Sequence, residues 1–230
     1  MDIPLESFET IYQRAADRKG GPSGVEQRLD KPKSKRYLAK LGDDRYLAEF
    51  SKKVFQSGFV WRVVRNKWPA FEEVFFNFDI KKLLMMPPDM IERKASDERI
   101  IRNLRKVKSI QNNAIMIDEI ARVEGSFAKW VADWPTDNII GLWAELKKRG
   151  DRLGGNTGPY ALRVLGKDTF ILSRDVEAYF RNHKLIDGGL SSKKSLSKIQ
   201  DCFNQWHQQS GRSLQEISQT ISFGVGDNIV

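Results

Sequence analysis

Apolar residues recur at helical spacing along almost the whole chain, and no stretch shows the two-residue alternation of a half-buried strand. Leu5, Phe8, Ile11, Tyr12 and Ala15 mark a first helix over 5–19, which Gly20-Gly21-Pro22-Ser23-Gly24 breaks. The basic segment Lys31-Pro32-Lys33-Ser34-Lys35-Arg36 reads as an exposed connection. Asp43-Asp44 is placed to cap the next helix, whose inward stripe is Leu47, Phe50 and Val54. Gly58 interrupts before Val60, Val63, Val64 and Trp68 resume the spacing. Phe71, Val74, Phe75 and Phe78 form a further apolar face, followed by Leu83-Leu84-Met85-Met86 and the Pro87-Pro88 stop. A long helical run from Arg99 to Ile120 is expected to break once near Ser109. Further helices are expected over 139–149 and over 195–222, the latter divided at Ser210-Gly211-Arg212. With no repeat of about 20–50 residues, these patterns predict an all-α fold whose phenylalanine-rich helices form the core.

The chain's 230 residues fit one large domain or two small lobes, and 39 Lys and Arg against 30 Asp and Glu give a net charge of +9. That balance favours a polyanionic partner without separating nucleic acid from an anionic membrane surface. The single cysteine, Cys202, excludes an intrachain disulfide and suits a reducing compartment. No apolar run approaches the roughly 18–20 residues that span a bilayer. The opening Met1-Asp2-Ile3-Pro4-Leu5-Glu6 lacks the basic and apolar regions of a signal peptide. A soluble, cytoplasmic monomer with no membrane partner and no cofactor is expected.

Three stretches carry chemistry. The first is Lys53-Val54-Phe55-Gln56-Ser57-Gly58-Phe59-Val60-Trp61, where a glycine permits a tight turn between aromatic residues. The second is Ile100-Ile101-Arg102-Asn103-Leu104-Arg105-Lys106-Val107, with Asn112-Asn113-Ala114 and Gly125-Ser126-Phe127 after it. Its cations spread around a helix, so only part of the charge can face one partner; a solvated face plus one buried arginine satisfying a loop is the plainer reading. The third is Leu146-Lys147-Lys148-Arg149-Gly150, then Leu153-Gly154-Gly155-Asn156-Thr157-Gly158-Pro159-Tyr160-Ala161. There a helix ends, a glycine-rich turn follows, and Pro159 suits the first turn of a new helix. Small residues at such a turn let backbone amides reach phosphate oxygens.

Taken in this order, the three stretches resemble the 3-methyladenine DNA glycosylase I family of the helix–hairpin–helix superfamily. The first is similar to the family's Leu-Glu-Gly-Phe-Gln-Ala-Gly-Leu-Ser-Trp, and the second to its Gly-Ile-Ile-Arg-Asn-x-x-Lys-Ile. The third is similar to the Leu-Pro-Gly-Val-Gly-x-x-Thr-Ala hairpin of DNA repair proteins. The resemblance implies an all-α, helix–hairpin–helix glycosylase-like fold with two helical lobes around a basic cleft. On that reading residues 43–135 form an inner lobe with the base pocket, while 1–42 and 136–230 form a second lobe that includes the hairpin at 146–161.

The resemblance also implies residue roles. Trp61 would stack on an extruded base, and Phe59 would wedge into the gap it leaves, because a base must leave the stack before its glycosidic bond can be attacked. Lys53, Gln56 and Glu49 would lie at the pocket. Gly58, Phe59, Lys147, Lys148, Gly154, Gly155, Thr157 and Gly158 would meet double-stranded DNA. The superfamily's Schiff-base lysine aligns with Pro159, which implies a monofunctional, hydrolytic enzyme. Asp175, in Phe170-Ile171-Leu172-Ser173-Arg174-Asp175-Val176, matches the segment bearing the superfamily's catalytic aspartate and would stabilise an oxocarbenium-like sugar or orient water. Capping a helix that begins at Val176 is its alternative role.

Departures from the family pattern limit this. The Cys-x-Trp and Tyr-His-Asp-x-Glu-Trp-Gly motifs, which supply pocket aromatics and two zinc ligands, are missing. Cys202, His183 and His207 show no metal-site spacing, so no zinc is expected. Lys53 stands where the family has the glutamate that reads the base. It admits three readings: it points outward to a phosphate, it faces the pocket and selects a neutral or electron-rich base, or the activity is lost. The first is preferred because Lys52 and Lys53 adjoin the supposed DNA face, with Glu49 at i−4 placed to pair with Lys53. The leading expectation is removal of alkylated bases such as 3-methyladenine from duplex DNA. The alternative is a non-catalytic paralogue that binds damaged or bent DNA.

Overall fold

A computed structural model describes residues 4–225. Met1–Ile3, part of the N-terminal reading above, and residues 226–230 lie outside it. Among the described residues there are fourteen α-helices, two short 3₁₀ turns and no strand, so the all-α expectation holds. In chain order the helices are α1 (Phe8–Lys19), α2 (Pro22–Glu26), α3 (Lys35–Lys40), α4 (Asp43–Gln56) and α5 (Trp61–Val74). Next come α6 (Ile80–Leu84), α7 (Pro88–Ala95), α8 (Leu104–Glu124), α9 (Phe127–Asp133) and α10 (Ile139–Arg149). The last are α11 (Thr157–Leu165), α12 (Arg174–Asn182), α13 (Lys193–Ser210) and α14 (Leu214–Phe223). No helix among the described residues is long and apolar enough to cross a membrane.

The helices fall into two compact units. One is Ser34–Trp134 with Leu142–Lys167; the other takes the residues up to Lys33, Pro135–Gly141 and those from Asp168 onward. This division differs from the expected lobes, which put the hairpin with the chain's two ends. The hairpin joins the first unit because α11 packs along α4, and α3 joins it because it packs on α9.

In the first unit α4 is the central element. Its Tyr46, Leu47, Phe50, Val54 and Phe55 are buried, as the apolar stripe implies. Phe127 from α9 meets Tyr46 and Phe50 edge-on at 5.4 and 5.8 Å, and Phe71 from α5 meets Phe55 at 4.6 Å. Asp43 does not cap its own helix, whose N-cap is Gly42. Its carboxylate instead accepts from the Phe127 and Ala128 amides at 3.1 and 2.9 Å, satisfying free donors at the start of α9.

Two expectations within this unit are corrected. The long run is not broken at Ser109: α8 is continuous from Leu104, capped by Asn103, and the buried Ser109 hydroxyl donates to the Lys106 carbonyl at 2.7 Å inside the helix. The apolar face over Phe71–Phe78 is not one helix either. It stops at Val74, and Phe76, Asn77 and Phe78 all take left-handed backbone, with φ of 57°, 53° and 61°. Packing sustains that costly turn: Phe78 stacks on Trp68 at 5.4 Å, and Arg45 donates to the Asn77 carbonyl at 2.6 Å while pairing with Glu72.

The second unit begins with α1, capped by the Ser7 hydroxyl and closed by Gly20 in left-handed conformation, as its break signal implied. Its core is aromatic. Phe170 stacks on Phe203 at 4.2 Å, with Tyr179, Phe180 and Trp206 packed around them. Glu6 closes this core, its carboxylate accepting from Tyr179 and Arg14 and its carbonyl accepting from the Trp206 indole at 2.9 Å. Burial pushes the Glu6 carboxyl up, but the hydrogen bonds from Arg14 and Tyr179 outweigh it and hold it below its ordinary 4.5.

Candidate functional site

The turn between α4 and α5 exposes what the rest of the unit buries. α4 ends at Gln56, and Gly58 carries the chain through φ +68° with open space where a side chain would begin. Phe59 and Trp61 follow, 44% and 48% exposed, flanked by exposed Val60 and Val63. Neither aromatic is a core residue. A cluster of apolar side chains left in water at one turn is a feature of binding surfaces.

Lys106, from the second sequence stretch, fixes this turn. Its ammonium donates to the Phe55 and Ser57 carbonyls at 3.2 and 2.7 Å, satisfying the exposed end of α4. Burial, with Arg152 nearby, lowers the pKa of that ammonium. The cation that satisfies the loop is therefore this lysine and not the arginine expected.

Beneath Trp61 lies a polar group contributed wholly by α4. The Lys53 side chain is only 11% exposed, with its ammonium 3.1 Å from Gln56 Oε1, 3.4 Å from Glu49 Oε1 and 5.4 Å from the centre of the Trp61 ring. The expected i−4 partnership with Glu49 is present. At 3.4 Å it is an ion-pair contact, and Glu49 Oε1 is buried without a hydrogen bond. Burial pushes the Glu49 carboxyl up, against the pull of Lys53 and then Lys52. The outward, phosphate-seeking orientation preferred for Lys53 is corrected: i, i+4 and i, i+3 spacing turns it along the helix onto Glu49 and Gln56, and the indole covers it. Lys52 does not join it; its ammonium lies over Trp68 at 5.3 Å.

The hairpin reaches the same place. Tyr160 of α11 meets Trp61 edge-on at 6.2 Å and 79°. Sequence reasoning missed Tyr160, which sits on the helical face that packs toward α4. In the turn itself, Gly155 is exposed with φ +59°. The Thr157 and Gly158 amides are used internally, donating to the Gly154 and Leu153 carbonyls at 3.3 and 3.2 Å. Gly158 is buried, and a Cβ there would stand 2.8 Å from the Leu153 carbonyl oxygen, so its part is close packing rather than contact with DNA. Lys147 and Lys148 are exposed in the last turn of α10.

Asp175 belongs to the other unit, in the first turn of α12. Ser173 caps that helix, which starts at Arg174, so Asp175 is not the cap. The remaining candidate ligands are also there, and they do not make a metal site. His183 lies on the Tyr179 ring at 4.2 Å, His207 Nδ1 is 2.6 Å from the Arg212 carbonyl, and Cys202 is buried, its thiol pushed up to about 11 by that burial. Among the described residues no three His, Cys, Asp or Glu side chains are grouped to hold a metal ion.

The architecture is that of the helix–hairpin–helix DNA glycosylases. The chain is similar to the 8-oxoguanine DNA glycosylase of Methanocaldococcus jannaschii, with a TM-score of 0.55 at 12% identity over 93% of this chain and 92% of that one. A structure of the glycosylase/lyase from the same organism, in complex with a 15mer DNA containing 8-oxoguanine, gives 0.54 at 12% identity over 93% and 96%. The 3-methyladenine DNA glycosylase I of Staphylococcus aureus, in a structure addressing 3-methyladenine recognition, gives 0.50 at 20% identity over 68% and 91%. Residues 39–150 match the family described as Methyladenine glycosylase.

Proposed function

We propose that this chain is a monofunctional DNA glycosylase that removes alkylated bases, of the kind represented by 3-methyladenine, from double-stranded DNA. The observation that carries the reading is the exposed Phe59–Trp61 turn, held by Lys106 and met by Tyr160 of the hairpin. Trp61 offers an indole face on which an extruded base can stack, and Phe59 is free to fill the gap left in the duplex. Glu49, Lys53 and Gln56 supply the polar floor beneath the base. At the hairpin, the apex Gly154–Gly155 with Thr157, Lys147 and Lys148 receives phosphate oxygens. An alkylated base is a good leaving group, so catalysis needs extrusion, stacking and stabilisation of the developing sugar cation, the last assigned to Asp175.

The second reading is a non-catalytic paralogue that binds damaged or bent DNA, favoured by a lysine standing where the family pattern has its base-reading glutamate. Release of free base from methylated duplex DNA, compared among the native protein, Trp61→Ala and Asp175→Asn, separates the two. The glycosylase reading expects release by the native chain, with a loss of about 10–100-fold for Trp61→Ala, since stacking is worth about 1–3 kcal/mol per base. Tight DNA binding with no base released at any protein concentration selects the paralogue.

A further inference from the structure

Two residues of the hairpin turn take left-handed backbone, Gly155 at φ +59° and Arg152 at φ +62°. Glycine does so at no steric cost, whereas a side chain there crowds the following carbonyl oxygen. The residues around Arg152 are fastened to the protein. The Asp151 amide donates to Asn113 Oδ1 at 2.8 Å, and Asn113 Nδ2 donates in return to the Asp151 carbonyl at 3.1 Å. The Asp151 carboxylate accepts from Asn112 Nδ2 at 2.8 Å. Gly150 lies so close to α8 that a Cβ would stand 3.1 Å from Asn113 Oδ1, and Leu153 is buried. Arg152, held between these points, is the exposed residue of 150–153, and its guanidinium makes no hydrogen bond or ion pair among the described residues. Its charge is felt by Lys106, which holds the Ser57 carbonyl, so it stands on the side of the hairpin toward the Phe59–Trp61 turn. The fold retains strain at Arg152 while using nothing of its side chain, the pattern of a position kept for a ligand.

We propose that Arg152 grips a backbone phosphate of duplex DNA beside the nucleotide that Trp61 receives, and that its left-handed backbone is strain retained to present the guanidinium there. The planar fork of an arginine matches two phosphate oxygens at once, which a lysine ammonium does not. This rests on the glycosylase reading for where the DNA lies, and it adds to that reading a phosphate-binding side chain outside the glycine-rich apex. Arg152→Gly removes the side chain and the strain together, so it weakens DNA binding without weakening the fold.

The test uses the full chain, native and with Arg152→Gly or Arg152→Lys. Affinity for a duplex carrying a tetrahydrofuran abasic-site analogue is measured by fluorescence anisotropy over a range of salt, and stability by urea unfolding. Arg152→Gly is expected to bind about tenfold more weakly, the scale of a hydrogen bond to a charged group. The slope of log affinity against log salt should become shallower by about 0.9, one phosphate contact. Its urea midpoint should equal or exceed the native one. Arg152→Lys should keep the native salt slope and recover only part of the affinity. Native affinity and salt slope in Arg152→Gly overturn the proposal. A lower urea midpoint in that variant, or its failure to fold, also overturns it, because the side chain then serves the fold. Release of free base from methylated duplex is followed separately. Absence of release with the Arg152→Gly binding loss intact sinks the glycosylase reading alone, while release with no binding loss sinks the Arg152 assignment alone. A native chain that binds no duplex sinks both.

Discussion

Trp206 and Trp61 place the same indole in opposite surroundings. Trp206, in the unit built from the chain's two ends, is fully buried, edge-on to Phe203 and Tyr179, with its N–H donated to the Glu6 carbonyl. Trp61, in the hairpin unit, is about half exposed at 48% and rests on a lysine and the edge of a tyrosine. The first indole has every requirement met by its own chain. The second leaves one face of a large apolar ring in water, where a purely structural residue gains little. On the proposed function Trp206 serves stability and Trp61 recognition, and substitutions should separate the two.

The sharpest break is Trp206→Ala. Emptying that site should cost about 3–5 kcal/mol, visible as a large fall in the denaturant midpoint, with any loss of activity following loss of folded protein. Trp61→Ala should do the reverse. Stability should stay within about 0.5 kcal/mol of the native chain, while kcat/KM for base release falls about 10–100-fold. A large drop in stability with unchanged activity would return Trp61 to the core category and erase the contrast.

Glu6→Gln should be milder, at about 1–2 kcal/mol, because it weakens charge-assisted hydrogen bonds from Tyr179 and Arg14. It also predicts a pH signature. The Glu6 carboxyl is held below 4.5, so its contribution is complete above that value and lost as pH falls through the lower, folded-state pKa. Urea unfolding followed downward from pH 7 should show the native chain's advantage over Glu6→Gln at neutral pH and its decline as the pH falls below 4.5. The smallest effect expected is for Lys106→Met, about 1 kcal/mol in stability. It should also lower the rate of base release, because the turn that presents Trp61 loses its tether.

The helices were legible where local chemistry decides them. The apolar spacing of 5–19, closed by Gly20, is α1, and the division of the tail at Ser210-Gly211-Arg212 falls between α13 and α14. What escaped the sequence is long-range. Asp43 looks like a cap for its own helix and caps α9 instead, because the partner amides lie more than eighty residues away. The left-handed turn at Phe76–Phe78 opposes the preferences of its residues, and only Arg45 and Trp68, remote in sequence, account for it. The turn at Gly58, with Phe59 and Trp61 beside it, was readable from motif and spacing. Lys53 was misplaced because neighbouring positions on a helix diverge, so Lys52 and Lys53 could not share a face. Tyr160 was invisible for a different reason: its relation to Trp61 exists only once α11 packs on α4.

The tether at Lys106 has a consequence for timing. Fixing a loop in one shape has an entropic cost, of about 1–2 kcal/mol per residue of backbone. Here the carbonyls on either side of Gln56 are fastened by an ammonium from α8, so Ser57 through Phe59 lose that freedom when the protein folds. On the proposed function, a duplex meeting the turn does not have to order it. On that reading more of the contact energy would be left for prying a base from the stack, and the hardest step of recognition would start from a surface already set.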